Sequence, residues 1–236
     1  MKPRAKMAKA PANEVYMRRV ALLATAVVAA LTLSTSAQAP SASQVASALQ
    51  EKYNNIRDFS ADFTQEYDSG VLKRKITERG TLQVKKPGKM RWDYTSPAKK
   101  VFVSDGTNLY LWEPADNQVT TSTVPKQDEA TTAVLFLVGK GNLARDFNVS
   151  FLPNAPAGMF GLRLDPKLPE RDYDWLQLVV DQKTMQIRTL TSGDRQGGQS
   201  TFIFSKFKEN VGLADSVFNF KIPRGADVVR TDKSTP

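Results

Sequence analysis

Residues 80–112, GTLQVKKPGKMRWDYTSPAKKVFVSDGTNLYLW, decide the fold class of this chain. Turn-forming pairs interrupt the stretch at Pro87-Gly88, Ser96-Pro97 and Asp105-Gly106. Between these turns lie short runs of alternating or continuous apolar residues, which are typical of successive antiparallel strands. The stretch therefore predicts a β-meander.

One face of the predicted meander is large and apolar. Because side chains alternate between the two faces of a strand, Leu82 and Val84 share one face. Met90, Trp92 and Tyr94 likewise share one face of the next strand. The pattern alone leaves two interpretations open: this face fills an ordinary core, or it lines a cavity for a ligand.

Strand-like segments continue on both sides of the meander. Apolar and polar residues alternate from Phe59 to Tyr67, which predicts a half-buried strand. Further strands are predicted at 118–124, 146–152, 159–164, 175–181, 185–191, 201–208 and 217–222. The fold class is therefore α+β with one large antiparallel sheet of about eleven or twelve strands, and such a sheet curls into a barrel or an incomplete barrel.

Two segments carry helix signals. Ser41 and Gln44 have the spacing of a capping box, and Val45, Leu49 and Tyr53 follow at helical spacing, which predicts an amphipathic helix of about fourteen residues.

The second segment is the apolar run 133–138, AVLFLV. Its periodicity does not separate a strand from a short helix, but Thr131 as a cap and Gly139 as a terminator favour a helix.

The N-terminus resembles a secretory leader. Arg18 and Arg19 give residues 17–19 a positive charge, residues 20–33 are apolar, and Ala37-Gln38-Ala39 fits a signal-peptidase site. Fourteen apolar residues at about 1.5 Å each fall short of a hydrocarbon core of about 30 Å, which argues against a membrane span. Cleavage after Ala37 is the alternative because Pro40 disfavours the later site. We expect residues 1–39 to be a signal peptide and 40–236 to be a single exported domain.

Composition narrows the function classes. Without residues 1–39 the chain keeps 27 basic and 23 acidic residues, so the formal charge of +9 falls to about +4 and does not call for nucleic acid as a partner. The absence of Cys predicts a fold without disulfides, and the absence of His removes the commonest general base and metal ligand. We expect no metal, no cofactor and no enzymatic activity.

One catalytic pattern is present in form only. Ser96-Pro97-Ala98-Lys99 matches S-x-x-K, but that dyad requires its serine at the start of a helix, whereas these residues lie in a predicted turn between strands. An exported lipid or sugar hydrolase therefore remains an alternative without a recognisable catalytic constellation.

Several segments together resemble the LolA family of periplasmic outer-membrane lipoprotein carriers. They are residues 59–65 (FSADFTQ), 80–94 (GTLQVKKPGKMRWDY) and 103–112 (VSDGTNLYLW), with weaker similarity at 132–137 and 220–229. The resemblance implies an unclosed antiparallel β-barrel with a lid of short helices over a hydrophobic cavity. It also implies a monomeric carrier whose partners are acylated lipoproteins, an inner-membrane ABC lipoprotein-release complex and, where present, an outer-membrane receptor.

The resemblance also assigns site residues by position. The cavity wall would comprise Phe63, Leu82, Val84, Met90, Trp92 and Tyr94. The underside of the lid would comprise Val45, Leu49, Val134, Leu135, Phe136 and Leu137. A related half-barrel that binds other lipids or senses envelope stress remains an alternative.

Lys86 departs from the pattern of the family, which often has arginine immediately before the proline of this turn. The resemblance implies that an arginine at this position acts as a latch and hydrogen-bonds the lid. Lysine offers three donors on a flexible stem instead of a planar fork. We expect Lys86 to contact the lid as a looser latch.

Overall fold

The computed structural model describes residues 39–70, 74–124, 141–170 and 173–231. The predicted leader up to residue 38 and the predicted helix over 133–138 lie outside the described residues. The described residues from Pro40 onward belong to one compact unit. None of the helices within the described part of the chain has the length and apolarity needed to cross a membrane.

The first helix, α1 (Ala42–Asn55), confirms the capping prediction. The Ser41 hydroxyl accepts a hydrogen bond from the Gln44 amide at 3.2 Å, and the Gln44 side chain accepts one from the Ser41 amide at 2.8 Å. This reciprocal arrangement satisfies two amides that the first turn of a helix leaves without partners. The apolar stripe of Val45, Leu49 and Tyr53 is buried.

The strands form one twelve-stranded sheet. They are β1 (Asp58–Ser69), β2 (Arg74–Lys85), β3 (Lys89–Ser96), β4 (Lys100–Asp105), β5 (Asn108–Glu113), β6 (Gln118–Thr123), β7 (Phe147–Phe151), β8 (Met159–Pro166), β9 (Trp175–Asp181), β10 (Ile187–Gly193), β11 (Gln199–Glu209) and β12 (Asp227–Arg230). The opening stretch forms the second half of β2 and all of β3, β4 and β5, so the predicted meander is confirmed.

The sheet is an unclosed barrel. Its strand order is β12-β6-β5-β4-β3-β2-β1-β11-β10-β9-β8-β7, so β12 and β7 are its two edges, and within the described residues they do not pair with each other. All neighbours are antiparallel except β12, which pairs with β6 in parallel and makes the sheet mixed. We call the face that packs against α1 the inner face, and the opposite face the outer face.

The C-terminal segment after β11 corrects one prediction. The sequence pattern predicts a strand at 217–222, but Asp215–Phe218 is a short 3₁₀ helix and the chain then crosses the outer face without joining the sheet. Phe218 is completely buried there, and the Phe220 ring lies 5.3 Å from the ring of Tyr110 on β5. Apolar side chains that suggest a strand are instead used to cover a sheet.

This crossing segment is tied to the sheet by charge. Lys85 at the end of β2 and Lys89 at the start of β3 contact the Asp215 carboxylate at 2.6 and 3.2 Å. The Lys85 ammonium also donates to the Leu213 carbonyl at 2.8 Å. After this segment the chain rejoins the sheet as β12, beside β6.

A second unpredicted element, the single-turn helix α2 (Leu143–Asp146), precedes β7.

Candidate functional site

The six residues predicted to line a cavity lie side by side on the inner face. The strand registers place Leu82 opposite Trp92, Val84 opposite Met90, and Phe63 beside Gly80. Five of the six are at most 5% exposed, and Tyr94 is half-buried. They belong to the same hydrophobic cluster as the buried side chains of α1, so the helix packs on the same face of the sheet.

Aromatic rings form the centre of this cluster. The Phe63 ring lies 4.9 Å from Trp92 and 4.9 Å from Tyr94, edge to face in both cases, and Phe202 of β11 lies 5.1 Å from Trp92. Such ring pairs each add about 0.5–1.5 kcal/mol beyond burial. The absence of a side chain at Gly80 makes room for them, because a Cβ there would lie 2.9 Å from the Phe63 ring and 2.1 Å from the Asp93 carbonyl oxygen.

Helix α1 is held over the cluster by polar contacts as well as by burial. The Lys52 ammonium lies 2.8 Å from the Glu209 carboxylate of β11. The Tyr53 hydroxyl accepts a hydrogen bond from the amide of Ile187 at 3.3 Å. Burial raises the pKa of the Tyr53 phenol, so this group stays neutral. These contacts come from the last turns of α1, close to where the chain enters β1.

Lys86 reaches the same end of the helix. Its ammonium donates a hydrogen bond to the Tyr53 carbonyl and lies 5.8 Å from the centre of the Tyr53 ring. Burial lowers the pKa of Lys86, because the charged form loses hydration there. The residue predicted as a latch therefore contacts α1. The other predicted lid segment, with Val134, Leu135, Phe136 and Leu137, lies outside the described residues.

Side chains of the inner face are buried to different extents in two groups of strands. On β1–β3 and β8–β11, which we call the packed arm, inner side chains such as Leu82 and Leu178 are buried. On β4–β6 and β12, which we call the half-exposed arm, Phe102 and Leu111 are only half-buried and Val229 is 43% exposed. One register line joins the arms across the inner face: Leu82, Trp92, Phe102, Leu111, Thr120 and Val229.

Three polar residues of the inner face were not predicted. Gln65, Glu78 and Lys100 lie on the same face as Phe63, Leu82 and Phe102, and they border the aromatic cluster. The signal was available, because each lies an even number of residues from an inward apolar side chain of its own strand. It was overlooked because their proximity depends on pairing across four strands.

The S-x-x-K pattern is not arranged for catalysis in the way the motif requires. Ser96 ends β3 and pairs with Arg79 of β2, and Lys99 follows it in the connection to β4. Within the described ranges, no three Asp, Glu, His or Cys side chains come together as a possible metal site.

The fold and the face define a class: an unclosed β half-barrel with an apolar inner face covered by an amphipathic helix. The family model described as outer membrane lipoprotein carrier protein LolA matches residues 54–221, and the chain belongs to the LolA family.

Individual relatives agree. An outer-membrane lipoprotein carrier protein of Hahella chejuensis is 30% identical over 185 residues, which cover 78% of this chain and 87% of the relative. Another, of Chromohalobacter salexigens, is 29% identical over 208 residues and covers 88% of this chain and 95% of its own length. An uncharacterized conserved protein of Thermus thermophilus shares the fold, with a TM-score of 0.51 at 12% identity, over 79% of this chain and 98% of that structure.

Proposed function

We propose that this protein is a periplasmic carrier that binds the acyl chains of lipoproteins and delivers them to the outer membrane. The observation that carries the proposal is the apolar inner face, which extends from Leu82 and Trp92 of the packed arm to Phe102 and Leu111 of the half-exposed arm. Membership of the LolA family and the names of the two relatives support the same role.

The energetics require such a face. Each buried CH₂ contributes about 0.8 kcal/mol, so an acyl chain of about fifteen carbons gains about 12 kcal/mol on leaving water. A carrier must recover most of this gain and still release its cargo. Chains that enter the packed arm displace Val45, Leu49 and Tyr53 of α1, and the loss of that packing offsets part of the binding energy.

Lys86 is the proposed latch of this lid. Its contact with the Tyr53 carbonyl joins the turn after β2 to the last turn of α1. In Lys86→Ala we expect faster loading and faster release of a fluorescent triacylated lipopeptide, because the closed state loses a charge-assisted hydrogen bond. Lys86→Arg retains donors and serves as the control. If Lys86→Ala loads and releases the lipopeptide at wild-type rates, Lys86 is not a latch.

The proposed partners follow from the role. An inner-membrane ABC lipoprotein-release complex supplies the cargo, and an outer-membrane receptor, where the cell has one, accepts it. The protein acts as a monomer and needs no catalytic group, because transfer moves a bound lipid without breaking a covalent bond.

The identity of the bound lipid tests the proposal. The mature chain is expressed in a bacterial periplasm, purified without detergent, and its co-purifying molecules are identified by mass spectrometry. We expect triacylated lipoproteins with wild type and a reduced amount with Leu111→Gln, which places an amide on the inner face. Thr81→Gln on the outer face is the matched control. Free phospholipid alone would indicate a half-barrel with a different cargo, and no lipid would contradict the proposal.

A further inference from the structure

A row of polar side chains crosses the inner face of β1–β4 beside the aromatic cluster. Gln65 lies opposite Glu78 in the β1–β2 register, and Tyr94 lies opposite Lys100 in the β3–β4 register. Glu78 is two residues from Gly80, where the aromatic cluster begins. It is also seven residues, or about 23 Å of strand, from the end of β2, where Lys86 contacts α1. The row and the latch therefore lie on opposite sides of the apolar cluster that contains Leu82 and Val84.

The members of this row are connected to one another. The Lys100 ammonium lies 2.8 Å from both carboxylate oxygens of Glu78 and 4.1 Å from the centre of the Tyr94 ring. The Tyr94 hydroxyl donates to the side-chain oxygen Oε1 of Gln65 at 3.0 Å, and the side-chain nitrogen Nε2 of Gln65 donates to the Ser200 hydroxyl at 3.0 Å. The row is thus a hydrogen-bonded network that contacts the aromatic cluster through Tyr94.

The charges of this network are largely withdrawn from water. The side chains of Glu78 and Lys100 are 19% and 27% exposed. A partly buried ion pair adds little stability compared with an apolar pair of similar size, because both ions lose hydration. Stability alone therefore does not account for an ion pair on the inner face. If acyl chains lie on the neighbouring apolar cluster, the polar head of the bound lipid would lie beside this ion pair.

We propose that this row selects lipids whose polar head carries no ionised group, such as the ester- and amide-linked acyl groups of a lipoprotein N-terminus, and disfavours lipids whose head carries a phosphate. The inference rests on the proposed function, because it assumes that acyl chains occupy the inner face. Glu78 neutralises Lys100, so the row offers neutral partners to esters and amides. A phosphate would be repelled by the Glu78 carboxylate and would reach Lys100 only by displacing that carboxylate. The row would therefore select by repulsion.

The protonation of Tyr94 fits this role. Burial and the negative charge of Glu78 both raise the pKa of the Tyr94 phenol. The hydroxyl therefore stays protonated and remains a neutral donor at any pH that a periplasm reaches.

The test compares two palmitoylated lipids, one with three chains and one with two, and reads selectivity from how each affinity changes between variants. Delipidated full-domain protein is titrated with tripalmitoyl-cysteinyl-glycinamide, whose head is neutral, and with dipalmitoyl phosphatidylglycerol, whose head is anionic, in competition with a fluorescent acyl probe. Wild type prefers the lipopeptide. Glu78→Gln tightens phosphatidylglycerol binding about tenfold, because Lys100 loses its counter-ion, and changes lipopeptide binding less than about twofold.

Two further variants complete the design. Asp62→Asn makes the same charge change on the outer face of β1, where Asp62 pairs with Lys206 at 2.7 Å, and leaves both affinities unchanged. Glu78→Gln/Lys100→Gln removes the pair without leaving either charge unpaired, which keeps the inference testable if the single variant misfolds. We expect this double variant to bind phosphatidylglycerol more tightly than wild type and less tightly than Glu78→Gln.

The outcomes separate the two proposals. If wild type binds the lipopeptide, but Glu78→Gln and the double variant bind phosphatidylglycerol as wild type does, the carrier function stands and the selectivity of the row is refuted. If wild type binds neither lipid, the proposed function fails and the inference fails with it.

Discussion

The two arms of the sheet are stabilised on opposite faces. The packed arm buries its inner face under α1, while its outer face carries exposed polar pairs such as Asp62 with Lys206. The half-exposed arm buries its outer face, where Val103 and Val119 are completely buried on the side that the C-terminal segment crosses. Its inner face, which carries Phe102 and Leu111, is left half-exposed.

This difference shows how one sheet combines stability with an available apolar surface. An arm that was buried on its inner face alone would lose its packing whenever a ligand displaced the cover. The half-exposed arm keeps its core on the outer face, so its inner face is free to accept a ligand. In the proposed carrier cycle the packed arm would exchange α1 for cargo and retain the connection to its neighbouring strands.

Truncation of Phe218, the buried side chain of the C-terminal segment on the outer face, has the largest expected effect on the half-exposed arm. Phe218→Ala leaves a cavity on the outer face, and we expect the free energy of unfolding to fall by about 3–5 kcal/mol in urea denaturation. Hydrogen exchange should accelerate in β4–β6 more than in β8–β10. Phe151→Ala on the exposed edge strand is the matched control, with an expected change below about 1 kcal/mol. Equal losses for the two variants would show that the C-terminal segment does not anchor the arm.

A leucine-to-alanine pair sharpens the comparison between the inner faces. Leu49→Ala removes a completely buried side chain of α1 over the packed arm, and we expect a loss of about 2–5 kcal/mol. Leu111→Ala removes a half-buried side chain of the half-exposed arm, and we expect a loss of about 1 kcal/mol. Urea denaturation measures both. Losses of the same size would mean that the two inner faces are equally packed.

The ion pairs of Asp215 in the C-terminal segment have the smallest expected effect on stability. The hydrogen bonds from Lys85 and then Lys89 lower the pKa of Asp215 below its ordinary value. Its contribution to stability is therefore complete above the unfolded-state pKa of about 4, and it disappears as the pH falls through the lowered folded-state pKa. Asp215→Asn should be less stable than wild type near pH 7 and equally stable near pH 2. A stability gap that persists at the lower pH would refute this role.

Local signals predicted much of the fold. The capping box at Ser41 and Gln44 and the turns at Pro87-Gly88 and Asp105-Gly106 depend on neighbouring residues, and the structure contains all of them. The C-terminal segment at 217–222 has the same apolar density as a strand, but its structure depends on the outer face that it covers. A short pattern does not contain that long-range information.

The candidate site was predictable to a similar degree. Alternation placed Met90, Trp92 and Tyr94 on one face, and the structure brings Leu82 and Phe63 beside them. The alternation pattern alone did not reveal that α1 packs on this face. The network of Glu78 and Lys100 was missed because the two residues are 22 positions apart and meet only through the registers of β2, β3 and β4.

The most direct test of the account is whether acyl chains bind where α1 now lies. The chain has no cysteine, and Ser43 on α1 and Asn148 on β7 line the same groove. Ser43→Cys/Asn148→Cys joined by a short bis-maleimide would hold the helix against the sheet, with the unlinked double variant as the control. We predict that the unlinked protein binds a fluorescent triacylated lipopeptide and that the linked protein loses at least about tenfold in affinity. Equal affinity in the linked and unlinked proteins would contradict a movable α1 as the cover of the binding face.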